Sequence, residues 1–366
     1  MPPRTQFPRK SEAYLVETSR VNRKRLRAAG LVALPFLALG FLALAWVELQ
    51  RYARTPAGET AAEESFVVEP GEPLSAVARR LKERGLIRSA LRFRLLARLE
   101  GVDRRLQAGE YALSAKLSPR EILSRFERGL VRLHRLTIPE GWSLAQVAAL
   151  VEKAGLVSAA EFEALAREPG FVRALGVAAD TLEGYLFPET YFFPRSAGTA
   201  TILRTMVERF RAAFSPEWEE RAATLGMSRH EVVTLASIIE KETGDPAERP
   251  LISSVFHNRL KRGMRLETDP TVIYGIRDFD GNLTRRHLET PTPYNTYLIR
   301  GLPPGPIANP GKASLQAALF PAESPYLYFV SRKDGTHHFS RTYDEHQRAV
   351  RFYQLGEGKA PEASKF

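Results

Sequence analysis

Apolar positions along this chain follow three regimes. Between Ala28 and Val47 they are continuous: AAGLVALPFLALGFLALAWV runs for 20 residues without a charge, the length of a helix that crosses a bilayer core. Pro35 and Gly40 are tolerable in such a helix. Residues 1–27 before it are polar and basic and carry no apolar period, which reads as a short tail. The stretch RTPAGETAAEES (Arg54–Ser65) after it is small, polar and acidic, so residues 48–65 are expected to act as a linker.

The second regime begins at Phe66, where one pattern occurs twice. VVEPGEPLSAVARRLKERGLI and LTIPEGWSLAQVAALVEKAGLV align Gly71 with Gly141, Leu74 with Leu144, Val77 with Val147, Ala78 with Ala148 and Gly85 with Gly155. With one deletion, Phe93–Arg98 then matches Phe162–Arg167. Each copy reads as strand, turn, helix, turn, helix. LEGYLFPETYFFP (Leu182–Pro194) is aromatic and punctuated by proline, hence loop or short strand. Its aromatics suit either core packing or a platform for sugar rings.

The third regime is helical. Residues 200–213 and 216–225 are amphipathic. Ser228 with Glu231 forms a capping box, Met227 and Val232 a flanking staple, and Gly244 with Pro246 a stop, so a helix is predicted from Arg229 to about Thr243. On it Val232, Val233, Leu235, Ala236 and Ile239 share one face. Glu240 falls between the directions of Ala236 and Val233 and therefore points inward, whereas Lys241 and Thr234 are expected to point out. An inward carboxylate is costly to ionise, so its pKa should rise, as a general acid near neutral pH requires. The alternative is a rim carboxylate paired with Arg249 or Arg259. A second helix starts at Asp245-Pro246 and ends at Gly263, with Ile252, Val255, Phe256 and Leu260 inward. Asn258 lies beside Val255 and looks either into the same cleft as Glu240 or serves as a structural amide. Thr268-Asp269-Pro270-Thr271 is turn chemistry, GLPPGPIANPG an ordered loop, YLYFVSRKDGTHHFS a β-hairpin, and residues 343–353 a final helix.

Charge and composition narrow the classes. Lys plus Arg number 53 against 42 Asp plus Glu, a net charge of +11, yet residues 1–27 carry eight basic and two acidic side chains. That +6 leaves +5 for the remainder, and no zinc-finger spacing or RNP-like aromatic motif accompanies it, so no nucleic-acid partner is expected. The basic flank Arg20, Arg23, Lys24, Arg25 and Arg27 keeps residues 1–27 in the cytoplasm by the positive-inside rule and exports the rest, with Trp46 and Tyr52 at the outer interface. A cleaved signal peptide is the competing reading, but its apolar core is about 7–15 residues and no A-x-A site follows here. There is no cysteine, hence no disulfide and no thiolate nucleophile. His230-Glu231-Val232-Val233-Thr234 lacks the second zincin histidine, and His337-His338 alternate faces on a strand, so no metal is expected. Neither a G-x-S-x-G elbow nor a nucleotide-binding loop occurs.

The motifs EKET, ERPLISSVFHNRLKRGMRLETDPTVIYG, LETPTPYNTY and GLPPGPIANPG, in this order and spacing, with LEGYLFPETY upstream, resemble the endolytic murein (lytic) transglycosylase family, also called YceG-like, over about residues 66–353. The resemblance implies an α+β chain. Residues 1–27 would be a cytoplasmic tail, 28–47 a transmembrane helix and 48–65 a linker. Residues 66–135 would be a small LysM-like α/β module, 136–354 a mixed α+β catalytic domain with a lysozyme-like catalytic helix, and 355–366 a disordered tail. The LysM resemblance is looser: Glu72 replaces the usual Asp, so the module either binds GlcNAc-containing glycan or is purely structural.

The implied activity is cleavage of the MurNAc-GlcNAc β-1,4 bond within nascent glycan strands, leaving 1,6-anhydro-MurNAc ends and terminating glycan elongation. The alternatives are a hydrolase that uses water and a glycan-binding scaffold. Glycoside cleavage normally needs two carboxylates, but this family manages with one because the muramic acid C6 hydroxyl attacks C1. Glu240 would carry the catalysis, with Glu242, Glu267 and Asp269 as neighbouring carboxylates. Thr268, Asp269, Tyr274, Tyr294, Asn295 and Thr296 match family positions and, with Asn258, are candidate substrate contacts. No cofactor is implied. The implied partners are peptidoglycan strands, the cytoplasmic (inner) membrane and peptidoglycan synthases of the penicillin-binding class, with the catalytic domain outside the cytoplasm.

Overall fold

The structure, a computed structural model, describes residues 36–361. The expectations for the tail 1–27, for the first part of the apolar run and for the last five residues lie outside the described residues. The chain divides into two compact units between Arg132 and Leu133.

In the first unit α1 (Phe36–Arg54) is long and apolar enough to cross a membrane. It does not stop at Val47 but continues to Arg54, and Leu49, Tyr52 and Ala53 are buried with Phe66, Val77, Leu81 and Phe93 in one core. Residues 48–54 are therefore helix packed on the domain rather than tether. Tyr52, expected at the outer interface, is buried instead and donates its hydroxyl to the Ser89 carbonyl at 2.8 Å. The cause is the local sequence: Leu49, Tyr52 and Ala53 recur at helical spacing and complete an apolar face that a tether would leave in water. Strand β1 (Glu64–Val68) pairs antiparallel with β2 (Gly109–Leu113), and α2 (Leu74–Glu83) and α3 (Ala90–Leu99) lie between them in sequence. Then comes α4 (Pro119–Glu127), an element absent from the expectations above, started by a Ser118–Glu121 capping box.

The second unit repeats the opening: β3 (Leu133–Thr137), α5 (Leu144–Lys153) and α6 (Ala159–Ala166), followed by α7 (Pro169–Ala174) and β4 (Thr190–Pro194), which closes antiparallel on β3. The aligned glycines have the same left-handed backbone in both copies, φ 76° and 73° at Gly71 and Gly141 and 71° and 70° at Gly85 and Gly155. Glycine reaches that region without a Cβ penalty, so the turns that set the helices are encoded twice. In LEGYLFPETYFFP, Tyr185, Leu186, Tyr191 and Phe193 are buried in the core and Phe192 is exposed.

The helical remainder comprises α8 (Thr199–Ala213), α9 (Pro216–Thr224), α10 (Arg229–Glu242), α11 (Arg249–Lys261), α12 (Asp269–Tyr274), α13 (Arg285–Glu289) and α14 (Lys312–Leu319). The hairpin β5 (Tyr328–Ser331) and β6 (His337–Ser340) and then α15 (Tyr343–Val350) complete it. Central to it is α10, whose start follows the expectation: Ser228 Oγ accepts from Glu231 N while Glu231 returns to Ser228 N. It packs chiefly on α14 and also touches α9, α11 and α12. Every residue from Val232 to Ile239 is buried. Thr234, expected to face solvent, is only 1% exposed and donates back to the His230 carbonyl at 2.8 Å. A helix enclosed on all sides has no outward face, which is why the amphipathic reading misplaced it.

Candidate active site

Glu240 sits in the last turn of α10. Its side chain is 8% exposed, so the inward direction read from the helical period holds. It is not isolated: Gly311 N donates to Oε2 at 3.0 Å, and the Arg249 guanidinium stands 3.5 Å from Oε1. Both descriptions offered by the sequence are thus true together, an inward carboxylate and one paired with Arg249. Gly311 is the N-cap residue of α14, so its free N–H and the helix dipole both favour negative charge there.

A third group meets them. Glu140, in the turn after β3, reaches the same guanidinium at 3.9 Å with half its side chain in solvent. Partial burial, then the neighbouring Glu240, push its pKa up, against the opposing pull of Arg249. Two glycines hold this space open. A Cβ on Gly311 would lie 1.9 Å from Glu140 Oε1, and one on Gly141 3.4 Å from Glu240 Cγ. Arg249 Nε is buried and has no hydrogen-bond partner, so one donor of the cluster is uncommitted. Two carboxyls on one guanidinium carry a net charge of −1 when both are ionised and 0 when they share a proton, which is the stock in trade of acid–base catalysis.

Glu242 points to the other side of the helix end. Thr268 donates its hydroxyl to Glu242 Oε1, while burial, and secondarily Asp269, push the Glu242 pKa up against that bond. Asp269 is exposed and accepts from the Tyr297 hydroxyl at 2.7 Å.

Beside the Gly141 turn lies a frame built on Glu183, 3% exposed. Its carboxyl accepts from Leu144 N at 2.9 and 3.1 Å, from the Tyr274 hydroxyl at 3.1 Å and from Asn309 Nδ2 at 3.3 Å. Burial raises its pKa to about 7 despite those donors. Asn309, itself fully buried, also donates to the Trp142 carbonyl and accepts from Leu186 N. The pair stitches the Gly141 turn, the Leu182–Tyr191 loop, α12 and the loop before α14 into one wall. Tyr274 packs at 4.9 Å on Tyr294, the rings tilted by 56°, and Tyr294 is half-buried.

The other sequence candidates divide by what their polar atoms already do. Asn258 Nδ2 donates to the Ser324 and Tyr326 carbonyls at 2.8 and 2.9 Å, the structural-amide alternative. Asn295, fully buried, donates to the Leu288 and Thr290 carbonyls and accepts from Tyr297 N. Thr296, equally buried, bonds Thr271 Oγ1 at 2.8 Å and accepts from Thr268 N at 3.1 Å. These three hold loops together. Tyr274 and Tyr294 pack on each other beside Glu183, while Thr268 and Asp269 hold Glu242 and Tyr297. Glu140, Glu183, Arg249 and Asn309 were not among the sequence candidates as site groups. The motif context IPEGW and IANPG held the only hint of Glu140 and Asn309.

A cavity of about 430 Å³ is lined by His230, Thr234, His257 and Pro304. Its lining residues on α10 stand about one and a half to three turns from Glu240, and it is separate from this cluster. Among the described residues no group of three or more His, Cys, Asp or Glu is placed to hold a metal ion.

Comparison with known proteins agrees with the motifs. The YceG-like family model matches residues 66–352. A protein of Bacillus subtilis (strain 168) named endolytic murein transglycosylase is 33% identical over 302 residues, 78% of this chain and 83% of that protein. One of the same name from Streptococcus pneumoniae serotype 2 (strain D39) is 28% identical over 315 residues, covering 77% of this chain and 57% of the relative. The crystal structure of a YceG-like protein from Listeria monocytogenes superposes with a TM-score of 0.55 at 32% identity, over 79% of this chain and 99% of that one. With a family model spanning most of its length, and a buried carboxylate on the central helix of the matched region, the chain belongs to the YceG-like family.

Proposed function

We propose that the chain is a membrane-anchored endolytic lytic transglycosylase. It cleaves the MurNAc-GlcNAc β-1,4 bond inside peptidoglycan strands and leaves 1,6-anhydro-MurNAc ends, and so terminates glycan elongation. The activity rests on the family and on the relatives' names. One observation supports the site above all: Glu240 is inward, held at 3.0 Å by Gly311 N, and shares Arg249 with Glu140.

Glu240, protonated, donates to the glycosidic oxygen as the C1–O4 bond breaks and its electron pair goes to the leaving GlcNAc O4. The positive charge that develops at C1 is met by the muramic acid's own C6 hydroxyl. As O6 bonds to C1, its proton returns to the Glu240 carboxylate, so no water is consumed and the acid is regenerated. The nucleophile is intramolecular, and its effective concentration replaces a second carboxylate aimed at water. Glu140 places a second carboxyl beside Arg249. Arg249 Nη2 faces both carboxyls, at 3.5 Å from Glu240 and 3.9 Å from Glu140. Tyr274 and Tyr294 present aromatic surface to a pyranose, and Thr268 and Asp269 border the same end of α10, which serves as a lysozyme-like catalytic helix.

The β-α-α-β order of the first unit is compatible with a LysM-like, glycan-binding module, and α1 with an anchor that leaves both units outside the cytoplasm. Mass spectrometry of products from purified peptidoglycan tests the reading. Expected are internal fragments with 1,6-anhydro ends. Reducing ends would assign a hydrolase, and uncut strands a scaffold.

A further inference from the structure

Helix α3 carries an apolar stripe that the fold leaves uncovered. Leu91, Leu95 and Leu99, at i, i+4 and i+8, are 74%, 48% and 56% exposed, while Phe93, Leu96 and Ala97 on the opposite face are buried. At 100° per residue the stripe spans about 80°, with Arg92 on one flank and Arg94 and Arg98 on the other. All three arginines are exposed.

The position of α3 relative to α1 follows from hydrogen bonds at its two ends. At the N-terminal end, Ser89 accepts from Tyr52 at 2.8 Å, and the Arg92 guanidinium lies 6.0 Å from the Tyr52 ring. At the other end, Arg120 bridges Glu100 Oε1 at 2.9 Å and Gln50 Oε1 at 3.0 Å. Gln50 and Tyr52 are only about 3 Å apart along the axis of α1, whereas α3 is about 15 Å long. Both ends of α3 are thus tied to the last turns of α1, the first directly and the second through Arg120 of α4. Along α1, the residues from Phe36 to Val47 are exposed, whereas Leu49, Tyr52 and Ala53 enter the core. The uncovered part of α1 and the leucine stripe thus both lie outside one core, meeting near its last turns.

We propose that α3 is an in-plane membrane-contact helix that seats Leu91, Leu95 and Leu99 at the boundary of acyl chains and headgroups, with Arg92, Arg94 and Arg98 against anionic lipid phosphates. The proposal rests on the reading of α1 as an anchor. An α1 standing along the bilayer normal holds its own last turns, and the α3 tied to them, at the membrane surface, where apolar-stripe helices rimmed by cations partition. The first unit is then fixed against the bilayer by two elements instead of swinging on a tether.

The chain has no cysteine, so single cysteines report cleanly. The full-length protein is reconstituted in phosphatidylglycerol nanodiscs with a fluorophore on Leu95→Cys, on Phe41→Cys in α1, or on Leu355→Cys, an exposed leucine of the other unit. Lipids carrying a shallow doxyl quencher are then added. Expected is quenching at Leu95 several-fold stronger than at Leu355, weakened in phosphatidylcholine discs or by Arg94→Glu/Arg98→Glu. Quenching at Phe41 with a Leu95 label as accessible as Leu355 overturns the proposal and spares the anchor. Quenching at neither removes both. A shielded Leu95 label that lipid does not quench assigns the stripe to a protein contact and also overturns the proposal.

Discussion

Replacing Glu183 by Gln removes a carboxyl whose burial works against its charge. In the folded chain it titrates at about 7 against an ordinary 4.5. The folded state therefore binds the proton more tightly than the unfolded one between those values. Stability from this group is fully present below about pH 4.5, is lost as pH rises through about 7, and is flat above. At 1.36 kcal/mol per pH unit the loss is about 3 kcal/mol, undiscounted because the side chain is almost fully buried. Glutamine has no such dependence. The gap in unfolding free energy between wild type and Glu183→Gln should therefore move by about 3 kcal/mol between pH 4 and pH 8, in favour of the variant at the higher pH. Subtracting the variant cancels the other titrating groups. The assay is urea unfolding followed by tryptophan fluorescence in a Trp46→Phe background, which leaves Trp142 and Trp218, both in the second unit. Trp142 accepts a hydrogen bond from Asn309, the neighbour of Glu183. A gap that is the same at both pH values, or that opens the other way, would refute the claim that burial outweighs the donors around Glu183.

Three further expectations concern the cluster and its wall. Glu240→Gln should lower release of 1,6-anhydro fragments by about 10²–10⁴-fold, with thermal melting unchanged, because the amide keeps the volume but cannot give up a proton to the leaving oxygen; near-normal turnover would sink the mechanism, and an equal loss in Glu242→Gln would leave the choice between the two carboxyls open. Glu140→Gln removes one of two negative charges from Arg249, so the alkaline limb of the activity profile should move toward acid, and Glu140→Asp should restore part of it; a profile lowered evenly at all pH values would assign Glu140 to binding alone. Gly184→Ala puts a Cβ 2.5 Å from Pro306 Cγ at φ +85°, and the clash plus the left-handed backbone should cost about 3 kcal/mol; an unchanged denaturation midpoint would show that the Pro306 loop yields.

What the sequence determined here was local. The bounds of α10 followed from Ser228, Glu231 and the stop at Gly244, because caps and turns are settled by groups a few residues apart. The same holds for the two glycine-marked repeats, the Lys333–Gly335 turn of the hairpin and the inward direction of Glu240. Tertiary structure decided what those elements face. Thr234 is buried because it faces α11 and the Gly301–Pro304 loop, and Tyr52 because the helix meets the Phe66 core before its apolar face ends. Asn258 and Asn295 look like cleft amides in the sequence, yet their donors are spent on satisfying carbonyls of a loop and of the end of α13. The Glu240 cluster is the clearest case. Its helix is written in one stretch, but Gly311, 71 residues on, and Glu140, from the repeat's turn, come from other parts of the chain. A carboxyl's charge state depends on burial and on the charges within a few ångströms, and those are fixed only when packing brings distant segments to the same place.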